Sequence, residues 1–299
     1  MSSKYPEDDS ENIFEFRTTQ CQYIKFLFDI IKELVSTTNI YFTPDGLKIK
    51  TYNKGSTQYL DVFLDADNFD HYYYKTTDDS DVCEEVYINV SIDLINSVLK
   101  SISVSDNILK WSYKNNGDNE LKIVITSDEK QEIKEYYIKT NDGEDTDDNP
   151  PSDIDTYNYI LMLPCVDLSS IFKTYKGLDI DNICINFINN TLSFKSPQRP
   201  SSIRGSITKM ANKNNDVSIQ SLNDTNKLIV HKEPPKDKLY CDYFKFSNLH
   251  NLIKCAKICG KDTNICKIYL MNEQPIVFEF NIGKLGNVKF YLNPNQSED

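Results

Sequence analysis

The acidic residues of this chain are the first candidates for chemistry, because they form two clusters. The first contains Asp78, Asp79, Asp81, Glu84 and Glu85, and the second contains Asp142, Glu144, Asp145, Asp147, Asp148, Asp153 and Asp155. Adjacent carboxylates such as Asp78-Asp79 and Asp147-Asp148 supply the oxygen atoms that divalent cations prefer. Both clusters lie in segments without flanking structure to fix a coordination geometry, so we expect neither a metal site nor a catalytic centre there.

The cysteines and histidines also give little indication of a metal site or a catalytic centre. The chain has eight cysteines and three histidines, His71, His231 and His250, and no two cysteines form a CxxC pair. Cys255 and Cys259, with Cys266 beyond them, have a spacing that suits helix packing as well as zinc, so reduced and mostly buried thiols are expected. Neither a Ser/His/Asp or Cys/His set nor a GxxxxGK or GxGxxG loop occurs. The sequence therefore predicts a protein that is not an enzyme and binds no cofactor or metal.

Lysines are the third candidates for a functional site, because they lie within the four segments that show a helical pattern. Apolar residues recur at i, i+3 and i+4 in residues 19–35, 91–101, 165–175 and 247–259. Beside these apolar stripes lie Lys25, Lys32, Lys100, Lys173, Lys176, Lys254 and Lys257. One interpretation is an ordinary solvated surface. The other is that four helices share one basic face that contacts nucleic-acid phosphates without reading sequence, although Asp29 weakens that face.

Between the helical segments the chain alternates as strands do. Each helix precedes a run of strands, so a helix-plus-strands unit occurs four times, and the turn Pro44-Asp45-Gly46 marks the clearest hairpin. Residues 140–158 contain seven acids and two prolines but no basic residue, which predicts an exposed linker. The fold class is therefore α+β with two similar domains. We assign 1–12 as a flexible N-terminus, 13–139 as domain 1, 140–156 as the connector, 157–294 as domain 2 and 295–299 as the tail.

Bulk composition restricts the partners. A net charge of −12 argues against a general nucleic-acid coat, although clustering of the acids leaves room for a local basic surface. No apolar run reaches the ~20 residues that cross a membrane, and the first residues are polar and acidic. We therefore expect an intracellular protein with no membrane partner.

Three stretches of the chain carry a resemblance to a known family. They are FEFRTTQCQYIKFLFDIIKELV at 14–35, GLKIKTYNKGSTQYLDVFLDADNFDHYY at 46–73, and PIVFEFNIGKLGNVKFYLNPN at 275–295. In these stretches the chain resembles the eukaryotic-type DNA sliding clamps, the proliferating cell nuclear antigen family. The composition, rich in Asn, Lys, Ile and Tyr, suggests an AT-rich genome, as in a large DNA virus. Location in a nucleus or a cytoplasmic viral replication factory is expected on that basis.

The resemblance implies the DNA clamp fold, in which sheets lie outside and two helices of each domain line an inner face. Three subunits would close head to tail around duplex DNA and serve a DNA polymerase and a clamp loader. Lys25, Lys32, Lys100 and Lys254 match inner-surface lysines of the family, and Lys173 matches a basic position. Ser97, Ser170 and Ser247 stand where the family has further basic residues, so a weaker hold on DNA is expected. A non-encircling polymerase accessory protein and a checkpoint-type clamp subunit remain alternatives.

The resemblance also implies two contact surfaces. The first is an exposed apolar pocket at a sheet edge for a partner peptide, formed by Tyr52, Thr57, Tyr59, Ile154, Pro275, Tyr291, Leu292, Asn293 and Pro294. Without the family, Tyr291 and Leu292 would be read as ordinary core. The second is a subunit interface between strands at 132–139 and 201–209, with Tyr136, Ile138, Ile203 and Ile207. A dimer, a monomer or a ring with a paralogous subunit remain alternatives to the trimer.

Overall fold

The computed structural model describes residues 12–75, 85–114, 119–141, 143, 149–178, 180–196, 206–210, 229–232, 239–260 and 264–295. Most of both acidic clusters lies outside the described residues, as does Ile203. Two residues that the sequence assigned to the chain ends, Asn12 and Asn295, form contacts with the folded chain. Asn12 is buried and begins the first strand, and the Asn295 backbone N–H donates to the carbonyl of Tyr243 at 2.7 Å.

The described residues of the first half form two helices and nine strands. Gly46 closes the predicted hairpin turn with φ +143°, where a Cβ atom would lie 2.0 Å from the Leu64 carbonyl oxygen, so only glycine fits. The Ser91 side chain caps the second helix by accepting from the backbone N–H of Leu94. The elements are β1 (Asn12–Thr18), α1 (Cys21–Ile31), β2 (Thr37–Thr43), β3 (Gly46–Tyr52), β4 (Gln58–Asp65), β5 (His71–Tyr74), β6 (Val86–Ser91), α2 (Ile92–Lys100), β7 (Ile108–Lys114), β8 (Glu120–Ser127) and β9 (Glu132–Lys139).

The second half has the same character, with one difference from the prediction. The helix expected over 247–259 is two short helices, because the N–H groups of Ile253 and Lys254 bond to carbonyls three residues earlier, as in a tighter turn. The elements are β10 (Tyr159–Pro164), α3 (Cys165–Gly177), β11 (Asn182–Ile188), β12 (Thr191–Lys195), β13 (Ser206–Met210), β14 (Ile229–Lys232), β15 (Tyr240–Lys245), α4 (Phe246–Leu249), α5 (Leu252–Cys255), β16 (Ile265–Leu270), β17 (Ile276–Ile282) and β18 (Gly286–Leu292).

The described strands form three sheets, and the largest of these crosses from one half to the other. Its order is β14-β10-β16-β17-β18-β4-β3-β2-β6, and β18 pairs antiparallel with β4 from Gly286↔Leu64 to Leu292↔Gln58. The prediction that the pocket of the closing hairpin lies at a sheet edge is therefore wrong. β18 pairs with β17 on one side and with β4 on the other, so it lies inside the sheet. The other sheets have the orders β5-β1-β7-β8-β9 and β13-β12-β11-β15.

The helices form a row against the largest sheet. α1 contacts both α2 and α5, α5 contacts α3, and the longer helices also contact strands of that sheet. Their predicted apolar stripes face the main core. In α1, for example, Cys21, Ile24 and Phe28 are at most 1% exposed. The order α2-α1-α5-α3 therefore leaves one outward surface shared by helices from both halves, which we call the helix row.

The described residues of the connector contact the rest of the chain at both ends of the connector. Asn141 pairs with Asn89 in an isolated bridge, and its N–H donates to the Asn89 carbonyl at 2.8 Å. Further along, residues 154–156 form a single 3₁₀ turn, in which the Asp153 side chain accepts from the N–H of Asp155. Tyr157, directly after the turn, is fully buried. The residues on either side of the undescribed acidic segment are thus fixed against both halves.

Candidate functional site

The helix row contains a groove where the two halves meet. The groove has a volume of about 320 Å³, and we call it the helix groove. It contains four lysines predicted from sequence to contact DNA, two from the first half and two from the second. Its lining residues are Phe26, Asp29, Lys32, Glu33, Asn96, Lys100, Lys254 and Lys257. The fold thus brings together lysines that lie far apart in the sequence.

Carboxylates engage two of the groove lysines. The Lys32 ammonium lies 2.8 Å from Asp93 Oδ1, and the Lys254 ammonium lies 2.6 Å from Glu33 Oε1. The side chains of these pairs are between 36% and 56% exposed, so water and salt screen them and their contribution to stability is small. Asp29 instead accepts a hydrogen bond from the Asn96 amide at 2.8 Å. Sequence reasoning identified Asp29 but missed Glu33 and Asp93, whose partners lie on other elements.

The remaining predicted lysines lie outside the helix groove. Lys25 donates to the Ile102 carbonyl at 2.6 Å, beyond the end of α2. Lys173 is exposed on α3. Lys176, in the last turn of α3, lies 2.7 Å from His250 Nε2. All seven predicted lysines are therefore described and belong to the helix row or its border, but only Lys32, Lys100, Lys254 and Lys257 share one concave surface.

A second cleft borders the helix row at Lys176. Its volume is about 610 Å³, and its polar lining includes Lys245 and His250. Burial, followed by the positive charges of Lys176 and Lys254, lowers the pKa of His250. The imidazole is therefore neutral at pH 7, and its Nε2 can accept a hydrogen bond from Lys176. Sequence reasoning treated His250 as isolated, because its contact with Lys176 depends on how α4 packs beside α3.

The predicted peptide pocket lies on the face of the largest sheet opposite the helix row. One cross-strand row runs over six strands there, with each residue directly opposite the next: Ile160, Tyr269, Val277, Tyr291, Tyr59 and Tyr52. We call it the tyrosine row. The adjacent strand residues Phe278, Phe290 and Leu60 belong to the main core with the helices. Because successive side chains of a strand point to opposite faces, the tyrosine row faces away from the helices.

The tyrosine row is well filled. The ring centroids of Tyr52 and Tyr59 are 4.8 Å apart, and those of Tyr59 and Tyr291 are 5.5 Å apart. Tyr157, from the end of the connector, packs edge-on against Tyr269, with 6.1 Å between centroids, and its hydroxyl donates to the Pro275 carbonyl at 2.6 Å. Packing of this kind stabilises the meeting point of the connector and the two halves.

The predicted pocket residues are together, but several are buried. Tyr59, Tyr291 and Leu292 are 1%, 3% and 0% exposed, and Leu292 belongs to the main core. The expectation that these three line an open pocket is therefore corrected, since they form its filled floor and the core beneath. Residues nearer the surface are Tyr52, Thr57, Ile154, Asn293 and Pro294, while Pro275 is buried. Ile160 and Met271 are partly buried beside the same cluster.

Sequence reasoning missed three members of this cluster: Tyr157, Tyr269 and Val277. Strand alternation alone predicts that Tyr269 and Val277 are inside, but not on which face. Their place opposite Tyr291 depends on the strand order β16-β17-β18, which pairs Tyr269 with Val277 and Val277 with Tyr291.

The two strands proposed for subunit contact are both at sheet edges. β9 ends the five-stranded sheet and β13 ends the four-stranded sheet. Ile138 is only 4% exposed and faces its own core, while Tyr136 and Ile207 are half-buried against that core. Because of the period of two, the exposed side chains of β9 are on its other face, where Ile133 and Tyr137 are 58% and 57% exposed. The interface residues predicted on β9, Tyr136 and Ile138, therefore face their own core, and the subunit contact itself stays a prediction.

Within the described ranges, no group of three or more His, Cys, Asp or Glu residues is arranged to hold a metal ion. The Cys165 and Cys259 sulfurs lie 3.3 Å apart, and the hydrogen bond with Cys259, together with burial, raises the pKa of Cys165. No helix of the described part of the chain has the length and apolar character needed to cross a membrane.

Comparisons with known proteins agree with this architecture. Residues 13–148 match the family described as "Proliferating cell nuclear antigen, N-terminal domain". The chain is 24% identical over 289 residues to "Probable DNA polymerase sliding clamp 1" of Paramecium bursaria Chlorella virus 1, covering 96% of this chain and 98% of the relative. It is 23% identical over 297 residues to "Proliferating cell nuclear antigen 1" of Plasmodium falciparum (isolate 3D7), with coverage of 96% and 98%.

A solved structure shares the whole fold. The crystal structure of proliferating cellular nuclear antigen from Entamoeba histolytica aligns with a TM-score of 0.76 at 15% sequence identity, covering 95% of this chain and 100% of that one. This match confirms the α+β fold with two clamp domains. The matched family model and the similar sequences confirm the resemblance of this chain to the proliferating cell nuclear antigen family of DNA sliding clamps.

Proposed function

We propose that the protein is a DNA sliding clamp that keeps a DNA polymerase on duplex DNA and has no catalytic activity of its own. The helix row carries this proposal, because it assembles lysines from both halves on one surface of an acidic chain. Lysines spread over a groove attract phosphates without reading bases, which suits sequence-independent contact. The names of the relatives, a DNA polymerase sliding clamp and proliferating cell nuclear antigens, support the same function.

The clamp would act as a homotrimeric ring. Two edge strands, β9 and β13, are available on different sheets, so β9 of one subunit can add to β13 of the next. Such head-to-tail contacts close into a ring when the rotation allows it. The helix rows of the three subunits, each with α2, α1, α5 and α3, would then face the duplex. A monomer or dimer that serves the polymerase without encircling DNA is the alternative.

The tyrosine row would receive peptides of the polymerase, the clamp loader and other partners. Its buried members form a rigid apolar floor, and Tyr52, Thr57, Ile154, Asn293 and Pro294 lie around it, closer to solvent. A peptide aromatic or aliphatic side chain placed on this floor would bury further apolar area. The acidic connector beside Ile154 favours peptides with basic flanks. Function on DNA places the protein where the genome is replicated, in a nucleus or a viral factory.

The first experiment is the native mass from light scattering across a concentration series, followed by DNA retention. A trimer has three times the chain mass of 34.6 kDa. The ring is then loaded on nicked circular plasmid by a clamp loader, and the plasmid is linearised. Loss of bound protein on linearisation supports encirclement, while equal retention on both forms supports the non-encircling alternative. The Lys100→Glu/Lys257→Glu variant should lower retention, and wild-type retention by that variant would contradict DNA contact at the helix groove.

A further inference from the structure

Glu33 is the acidic residue that connects the halves across the helix groove. It follows α1 in the first half, and its carboxylate lies 2.6 Å from the ammonium of Lys254 on α5 in the second half. The residue is 221 positions away from its partner in the sequence. Both side chains also line the groove itself. On the surface proposed to contact phosphates, one lysine, Lys254, is therefore already paired with the carboxylate of Glu33.

The other groove lysines differ in their partners. Lys32 is paired with Asp93 at 2.8 Å, whereas Lys257 lies over the ring of Phe26, with its nitrogen 5.8 Å from the centroid. A lysine over an aromatic ring keeps its full charge available to a phosphate. A lysine that is already paired with a carboxylate attracts a phosphate more weakly, because the phosphate must displace the carboxylate. Lys254 in α5 and Lys257, which follows that helix two residues after its end, thus face DNA in different states.

Resting on the proposed function, we propose that Glu33 restrains DNA binding by withholding Lys254 from the duplex, so that the helix groove holds DNA loosely. A phosphate that approaches Lys254 also meets the negative charge of Glu33 at hydrogen-bond distance from the same nitrogen. Loose contact favours movement along DNA, because each phosphate contact must break at every step. The acid therefore limits the grip of the helix groove on DNA.

The test is the salt dependence of DNA binding by the full-length protein. Each phosphate that a cation newly neutralises steepens the slope of log K against log salt by about 0.9. Glu33→Gln keeps the shape of the side chain and removes its charge, so we expect a slope steeper by about this amount and an affinity about eightfold higher near 0.1 M salt than without the added contact. Lys254→Gln alone should change the slope little. In the Glu33→Gln background, Lys254→Gln should abolish the gain.

Glu85→Gln is the matched control. Glu85 pairs with Lys48 at 3.5 Å, and the side chains of that pair are 44% and 32% exposed, close to 45% and 36% for Glu33 and Lys254. Lys48 lies on β3 of the largest sheet, and neither residue lines the helix groove. The control should leave the slope unchanged, although it alters the net charge equally. A purely structural role of Glu33 would lower the melting temperature without changing the slope.

The outcomes separate this inference from the proposed function. If Lys100→Glu/Lys257→Glu lowers DNA retention while Glu33→Gln has the wild-type slope and affinity, the groove binds DNA and the restraint by Glu33 is refuted. An equal gain from Glu33→Gln and Glu85→Gln also refutes it, because the effect then comes from net charge alone. If the double lysine variant retains DNA like the wild type, DNA contact at the helix groove is contradicted, and with it the restraint by Glu33.

Discussion

Tyr59 of β4 and Tyr291 of β18 lie directly opposite each other in antiparallel register, with ring centroids 5.5 Å apart and planes at 68°. This edge-on contact is favourable for aromatic rings and is formed where the two halves join in one sheet. Each ring is at most 3% exposed. The pair therefore stabilises the junction of the halves and at the same time forms the floor of the proposed peptide site.

Replacement of Tyr291 by alanine should destabilise the whole chain. The change removes a buried ring from the tyrosine row, and losses of this kind cost about 3–5 kcal/mol of unfolding free energy. Urea unfolding followed by circular dichroism measures the change. Tyr73→Ala, at a side chain that is 37% exposed, is the control and should cost far less. Equal losses in the two variants would contradict the buried packing of Tyr291.

Replacement of Tyr52 by alanine should separate peptide binding from stability. Tyr52 is half-buried at the end of the tyrosine row, so its ring is available to a partner peptide and supports the fold less than Tyr59 does. We expect at least a tenfold weaker affinity for a clamp-binding peptide of the polymerase, about 1.4 kcal/mol, with a smaller loss of unfolding free energy than in Tyr291→Ala. Titration calorimetry measures the affinity, and an unchanged affinity would remove Tyr52 from the site.

The edge strand β9 provides a test of subunit contact. Ile133 and Tyr137 are both more than half exposed, so their replacement by lysine should leave the unfolding free energy within about 0.5 kcal/mol of wild type. Charges on an edge strand oppose pairing with another strand. We therefore expect Ile133→Lys/Tyr137→Lys to lower the native mass seen by light scattering. A full trimer of this variant would show that association uses a different surface.

Periodicity explains which parts of this structure could be predicted from the sequence. The stripes Leu168-Ile171-Phe172 and Leu249-Leu252 predicted helices correctly, because burial of one face requires that spacing. The break between α4 and α5 could not be predicted, since Leu249 and Leu252 are buried in either form. Alternation likewise predicted β18, but not its pairing with β4, because pairing between distant strands is decided by the whole fold.

The residues of the candidate sites could likewise be predicted from the sequence only in part. Lysines beside an apolar stripe are visible in the sequence, and so the seven DNA-binding candidates could be named. Their partners could not, because Glu33 and Lys254 meet only when α1 and α5 lie side by side. The tyrosine row was half found: Tyr59 and Tyr291 came from the family resemblance, while Tyr269 requires knowledge of strand order.

Burial of cysteines predicts a labelling order. Burial raises the pKa of Cys21 to about 12, whereas Cys241 is exposed. Because the thiolate is the reactive form, on the order of 10⁻⁴ of Cys21 is reactive at pH 8. Among the described cysteines, iodoacetamide in native buffer should therefore modify Cys241 first and Cys21 only on unfolding, as peptide mass spectrometry would show. Cys241→Ser should remove that early label, and early labelling of Cys21 would contradict its burial.

The loop after α2 predicts a pH dependence of stability. Burial alone would raise the pKa of Asp106, but hydrogen bonds from the Ser103 backbone N–H at 2.7 Å, from Lys134 at 3.2 Å and from the Ser103 hydroxyl outweigh it and lower the pKa. A lowered pKa in the folded state adds stability above the ordinary aspartate pKa of about 3.9. That stability is lost as the pH falls through the folded-state pKa.

Asp106→Asn should therefore be less stable than wild type at pH 7, and the difference should shrink as the pH falls below about 4. The amide cannot replace the charged acceptor of Lys134, whose own pKa is raised because the hydrogen bond to Asp106 outweighs burial. Urea unfolding of both proteins at several pH values measures the difference. Asp67→Asn, at an exposed position, serves as the control. A difference that stays constant with pH would mean that Asp106 acts through packing and hydrogen-bond geometry and not through its charge.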